Sequence, residues 1–125
     1  MKKILHVDDV QRFRTLVQME LETDYEVVSL DNCDRTLEMV SKESPDLVIL
    51  DHLMPSDNDD TGFDICQKLR QTHPTLPLVI FTGAWEDNSS PEEASEIWGA
   101  RVVFKKEGEA ELKRVVDSLL QTVET

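Results

Sequence analysis

The 125-residue chain carries 26 acidic against 13 basic residues, a formal net charge of -13, which argues against a nucleic-acid or anionic-membrane surface because both demand positive potential. Its length sets an expectation of a single domain over residues 1–125 with no second domain, large enough to bury roughly two thirds of its unfolded surface. No apolar stretch approaches the 18 or so residues of a membrane span, Met1-Lys2-Lys3 leads into only four apolar-run residues before Asp8, and Cys33 and Cys66 lack metal-type spacing, so a cytoplasmic chain with reduced thiols is expected.

In chain order, Lys3 to Val7 reads as a strand closed by Asp8 and Asp9, and the helix after it carries Val10, Phe13, Leu16, Val17 and Leu21 on one face. Tyr25 to Leu30 is the second strand. Leu47 to Leu50 is the third, apolar on both faces and closed by Asp51, as befits a parallel strand covered from both sides. Thr61-Gly62-Phe63-Asp64 reads as a capping box opening a helix. Leu78 to Phe81 is the fourth strand, running into Thr82 and Gly83. Ser90-Pro91-Glu92-Glu93 then combines a cap, a first-turn proline and a reciprocal acid, and Gly99 ends that helix. Arg101 to Phe104 is the fifth strand, running into Lys105 and Lys106, and the last helix bears Leu112, Val115, Val116, Leu119, Leu120 and Val123. Alternating strands and helices predict an α/β, doubly wound, five-stranded parallel sheet with helices on both faces.

If the first and third strands are parallel neighbours, Asp8, Asp9 and Asp51 share one edge of the sheet, where ligands bind in such folds. Two ionised carboxylates about 4 Å apart repel by roughly 4 kcal/mol at an effective dielectric near 20, so three together call for a cation or raised pKa values, and a hard divalent ion such as Mg²⁺ is the economical answer. Thr82 brings a hydroxyl to the same edge and a lysine an ammonium. The set makes sense if a phosphoryl group sits on Asp51, an acyl phosphate being a recognised covalent intermediate. His6, His52 and His73 show no metal-type pairing and read as structural or exposed. Asp57 to Gly62 imitates a calcium loop, but Lys68 stands where the bidentate glutamate is needed.

The run Lys3-Ile4-Leu5-His6-Val7-Asp8-Asp9, then Pro45 to Pro55 around Asp51, then Thr82-Gly83 and Lys105, resembles the receiver domain of two-component response regulators across essentially the whole chain. The resemblance implies the flavodoxin-like strand order 2-1-3-4-5, a chemotaxis-type stand-alone receiver and no output domain. It implies Asp51 as phosphoacceptor, with Asp8, Asp9, Asp51 and the backbone carbonyl of Leu53 holding Mg²⁺. Thr82 and Lys105 would bind the phosphoryl oxygens. A histidine kinase or phosphotransfer protein is the implied donor, a downstream effector protein the reader, and a phosphorylation-dependent dimer is among the assemblies open to it; neither nucleic acid nor membrane is expected as a partner. The domain would catalyse part of its own phosphorylation and dephosphorylation without being a conventional turnover enzyme.

The chain departs from the family pattern in three places. The family's lysine usually precedes proline, but here Lys-Lys-Glu stands at 105–107. Counting back from the last helix selects Lys105, whereas counting forward from Gly99-Ala100 selects Lys106. The aromatic normally three before the lysine is Val102 or Val103, and the loop Ser56 to Thr61 is longer and more acidic than usual. A receiver-fold interaction module that signals without phosphate is therefore a competing reading. An aspartyl phosphohydrolase is disfavoured because Leu53 stands where such enzymes place an acid.

Overall fold

β1 (Lys3–Val7), β2 (Glu26–Leu30), β3 (Leu47–Leu50), β4 (Leu78–Thr82) and β5 (Ala100–Phe104) pair in parallel as one sheet of order β2-β1-β3-β4-β5. The structure, a computed structural model, describes residues 1–52, 61–83, 92, 95–96 and 99–120. The helices are α1 (Gln11–Leu21), α2 (Thr36–Glu43), α3 (Gly62–Thr72) and α4 (Glu109–Leu120), the last being the fifth helical segment expected from the sequence. The expected helix between β4 and β5 lies largely outside the described residues, but Glu92, Ser95 and Glu96 are helical. Gly99 follows with φ +67°, the left-handed geometry that ends helices and favours glycine.

Strand order dictates which face each helix covers. From β1 the chain steps outward to β2 and then back past β1 to β3, and right-handed crossovers place helices from opposite steps on opposite faces. On one face, Ile4, Leu47, Ile49, Val79, Phe81 and Val103 pack under Val17 and Leu21 of α1 and Leu112, Val115 and Val116 of α4. On the other, Leu5, Val7, Val48, Leu50, Leu78 and Ile80 pack under Met39 and Val40 of α2 and Ile65, Cys66 and Leu69 of α3. Strand alternation thus feeds two cores from single runs such as Leu47–Leu50, all fully buried. Cys33 and Cys66 are both buried and are not joined in a disulfide.

Three expectations shift. Val10 does not join the α1 core stripe; it is an extended residue before the first turn (φ -93°, ψ 113°) and 40% exposed, because its N–H donates to Asp8 Oδ1 at 2.9 Å and so draws the chain into an Asx turn. Tyr25 is buried but precedes β2, since its N–H closes the end of α1 on the Leu21 carbonyl at 2.9 Å instead of joining the ladder. β5 starts one residue earlier than expected, with Ala100 opposite Leu78.

The switch from outward to inward winding falls between β1 and β3, and it is there that the carboxyl ends of the strands open a crevice. Val7 lies opposite Leu50, and one residue on, Asp8 N–H donates to the Leu30 carbonyl and Asp51 N–H to the Val7 carbonyl, each at 3.0 Å. The two acids therefore leave the sheet at one level. α3 closes the far side through the predicted capping box, Thr61 N–H donating to Asp64 Oδ2 at 2.9 Å and Asp64 N–H to Thr61 Oγ1 at 3.3 Å. Its first residue, Gly62, is pressed against the chain leaving β3: a Cβ there would stand 2.7 Å from the Asp51 carbonyl oxygen and 2.8 Å from His52 Cα. Neither backbone atom can yield locally. Gly62→Ala is accordingly expected to lower stability by about 3 kcal/mol in urea denaturation, and an unchanged midpoint would show that α3 is free to retreat.

Candidate functional site

The ends of four strands converge on one cleft, lined by Asp9, Val10, Phe13, Asp51, Thr82, Gly83 and Lys105. Asp8 and Thr82 are essentially buried and Asp51 is 5% exposed, whereas Asp9 is exposed. One carboxylate oxygen from each of Asp8, Asp9 and Asp51 lies within 4.8 Å of the others. At the end of β5 the chain turns into a 3-10 helix at Lys105–Glu107, anchored by Phe104 N–H donating to Glu107 Oε2 at 2.8 Å. Lys105, the first residue past the ladder, drops into the cleft.

Of the two lysines, Lys105 is the one that enters the cleft. Its Nζ donates to Asp51 Oδ2 at 2.8 Å and stands 2.8 Å from Asp8 Oδ2 as an ion pair, while Lys106 is exposed with its ammonium 5.9 Å over the Phe104 ring. The Phe13 ring faces the Lys105 ammonium at 4.0 Å and meets Phe81 edge to face, centroids 6.4 Å apart. The ammonium is thus held between two carboxylates and an aromatic face. Burial works against its charged form, but the bonds to Asp51 and Asp8 outweigh it and its pKa is raised. At Asp8, burial raises the pKa and is only partly offset by Lys105 and the Val10 N–H.

Around this centre sit residues whose part the sequence did not reveal. His6 is fully buried on β1; burial, then the nearby Lys105 and Arg14 cations, lowers its pKa to about 3, so the ring is neutral at physiological pH. Arg14 Nη1 donates to the Asp8 carbonyl at 2.7 Å and pins the end of β1. His52 is buried and His73 half-buried. Phe13 was legible only as an apolar helix position. Its proximity to the end of the strand-one acids was the available signal, because the first turn of a helix following a strand faces the same edge as that strand's carboxyl end. Val102 is half-buried and Val103 buried, so neither position before Lys105 offers an aromatic ring. Leu53, Ala84, Trp85 and Trp98, and the acidic loop to Asp60, lie outside the described residues.

The donor set fits a hard divalent cation. Three carboxylate oxygens converge and all are hard ligands, while the Lys105 ammonium between Asp8 and Asp51 supplies one positive charge against three negative ones, so the cluster has capacity for a further cation.

A parallel sheet of order 2-1-3-4-5 with acids at the ends of its first and third strands, a hydroxyl at its fourth and an ammonium at its fifth defines a doubly wound domain built around a cation-competent acidic crevice. Residues 4–117 match the response regulator receiver domain, and the chain belongs to that family. It is similar to the response regulator TrrA of Thermotoga maritima, crystallised in complex with Mg²⁺-BeF, with 31% identity, a TM-score of 0.79, and coverage of 96% of this chain and 100% of that one. The Vibrio cholerae chemotaxis protein CheY4 is 26% identical with a TM-score of 0.79, covering 96% of this chain and 99% of that one. Among curated relatives, the Bacillus subtilis alkaline phosphatase synthesis transcriptional regulatory protein PhoP is 34% identical over 87 residues, 69% of this chain and 35% of that protein. The probable transcriptional regulator ycf27 of Cyanophora paradoxa is 32% identical over 124 residues, 98% of this chain and 50% of that protein. The chain thus matches between about a third and a half of the length of these curated relatives. Among the described residues, no helix is long and apolar enough to cross a membrane.

Proposed function

We propose that Asp51 accepts a phosphoryl group from the phosphohistidine of a kinase or phosphotransfer protein. The observation that carries this reading is Lys105, whose ammonium lies 2.8 Å from both Asp51 and Asp8 in a cleft that Thr82 also lines. A carboxylate oxygen of Asp51 attacks phosphorus in line, the P–N bond to the donor imidazole breaks, and its electron pair stays on that nitrogen. Lys105 and the Thr82 hydroxyl then hydrogen-bond the transferred oxygens and stabilise their charge. TrrA was crystallised with Mg²⁺-BeF; here Asp8, Asp9, Asp51 and the carbonyl of Leu53 would hold Mg²⁺, which would neutralise phosphoryl charge and let the anionic donor approach an acidic pocket. Water attack on the acyl phosphate later restores Asp51.

Residues 1–125 act in this reading as one cytoplasmic receiver domain. The phosphoryl charge draws on Thr82 and Lys105 at the ends of β4 and β5 and biases the surface around β5 and α4, a population shift that a downstream protein reads. The net charge of -13 disfavours nucleic acid on the domain's own surface. PhoP and the probable regulator ycf27 are transcriptional regulators that this chain matches over 35% and 50% of their lengths.

Incubation with phosphoramidate and MgCl₂ is expected to add one phosphoryl mass to the wild type, and none to Asp51→Asn or to wild type in excess EDTA. An unmodified wild-type mass under these conditions overturns the proposal and favours a module that signals without phosphate.

A further inference from the structure

Of the four fully buried residues of β1, Ile4, Leu5 and Val7 are apolar and His6 is not. His6 is fully buried, and neither ring nitrogen meets a hydrogen-bond partner among the described residues. A buried polar group in that state weakens the fold relative to an aliphatic one, and an interior parallel strand favours Ile, Leu or Val at such a position. His6 Nε2 lies 4.0 Å from Asp8 Oδ2, a buried oxygen whose charge is met by the Lys105 ammonium at 2.8 Å. The unpartnered imidazole thus faces, behind the acidic crevice, a carboxylate oxygen held by a cation that the proposed chemistry also needs. The opposite oxygen, Asp8 Oδ1, is already fixed by the Val10 N–H at 2.9 Å, so rotation of the carboxylate about its own axis is restrained and the Oδ2 direction is the one left to set.

We propose that His6 is a positioning residue for Asp8: its neutral ring donates from Nε2 to Asp8 Oδ2 once Lys105 turns to a phosphoryl group, so that the lysine can leave without stranding a buried carboxylate. The inference rests on Asp51 being the phosphoacceptor. Before transfer, Lys105 Nζ sits 2.8 Å from Asp8 Oδ2 and screens its charge, while its directed hydrogen bond goes to Asp51. When that ammonium moves to the transferred oxygens, the His6 ring, 4.0 Å from Asp8 Oδ2, stays behind the carboxylate. The gap exceeds the 2.7–3.2 Å hydrogen-bond range by about 1 Å, which a small closing movement removes. A donor behind a ligating carboxylate fixes its orientation, and loss of such donors weakens affinity or activity by about 10- to 100-fold.

His6→Leu removes the donor and fills the core, and His6→Gln returns an amide N–H near the Nε2 position. With phosphoramidate as donor across a MgCl₂ series, His6→Leu is expected to fold at least as stably as wild type, yet to phosphorylate about tenfold more slowly at saturating donor and Mg²⁺, with half-saturation by donor little changed. His6→Gln is expected to recover most of the rate. A packing role alone would move stability and leave the saturated rate in place. Nitrogen NMR of ¹⁵N-histidine-labelled protein should show the Nε2–H tautomer. Wild-type rates in His6→Leu, or an Nδ1–H tautomer, overturn the inference while leaving Asp51 as acceptor. A wild type that takes no phosphoryl group removes the underlying reading, and this inference with it.

Discussion

Lys105→Met is expected to lower folding stability by about 3 kcal/mol at neutral pH in EDTA, and to regain much of that loss at millimolar Mg²⁺. Methionine keeps an apolar contact with Phe13 but removes the ammonium that stands 2.8 Å from both Asp8 and Asp51. Two nearly buried carboxylates then face each other uncompensated, the situation in which breaking a buried pair is costly. The pH dependence has a definite sign. Burial already holds the Asp8 pKa above its ordinary value even with the lysine present, and removing the cation raises it further. An acid whose folded pKa lies above its unfolded one opposes folding at high pH and ceases to do so as pH falls towards about 4, where both states carry the proton. The variant should therefore approach wild type in acid as well as in Mg²⁺. Urea midpoints in EDTA, in MgCl₂ and at low pH check this, and a loss indifferent to all three conditions would mean that the lysine contributes packing and no charge compensation.

The second large effect is acid sensitivity arising from His6. Its folded pKa is about 3, against 6.5 for the exposed ring, because burial and the Lys105 and Arg14 cations disfavour the imidazolium. Between those values the unfolded chain binds a proton that the folded chain refuses, so stability is fully present above pH 6.5 and declines as pH falls, by about 1.4 kcal/mol for each unit. From pH 6.5 to 5 the wild type should lose about 2 kcal/mol relative to His6→Leu, whose curve lacks this proton. Denaturation of both proteins at the two pH values isolates the difference, since the other titrating groups are shared. Parallel curves would place the imidazolium in a solvated setting, contrary to its full burial.

The fold is legible because β1, β3, β4 and β5 are short, largely apolar runs stopped by polar residues. Leu47–Leu50 followed by Asp51 announces both a two-sided strand and the residue that leaves it. The gathering of Asp8, Asp9, Asp51 and Thr82 follows from the same logic, since parallel order alone brings the ends of such strands to one edge. What was not legible depends on contacts between distant segments or on one-residue register. The choice between Lys105 and Lys106 turns on where β5 begins, and the pairing of Ala100 with Leu78 that fixes it leaves no mark in local propensity. Val10 looked like core because apolar spacing cannot foresee that Asp8 would capture its N–H. Tyr25 has a strand composition but serves the end of α1. Phe13 reads as helix stripe, and its meeting with Lys105 is tertiary; His6 and Asp8 share a face of β1 by their two-residue spacing, but the burial that leaves His6 without a partner depends on the helices packed above it.

Lys105 also divides the molecule into two charge populations that answer differently to salt. The excess of 13 negative charges belongs chiefly to the solvated surface, where a Debye length of about 8 Å at physiological ionic strength dampens mutual repulsion. At the floor of the crevice Asp8 and Asp51 carry their own counterion in Lys105, all three side chains 10% exposed or less, so dissolved monovalent ions scarcely reach them. Added NaCl thus relaxes the exterior and alters long-range attraction to basic partners, while the phosphoryl-accepting interior keeps its electrostatic balance until a divalent ion or a phosphoryl donor enters.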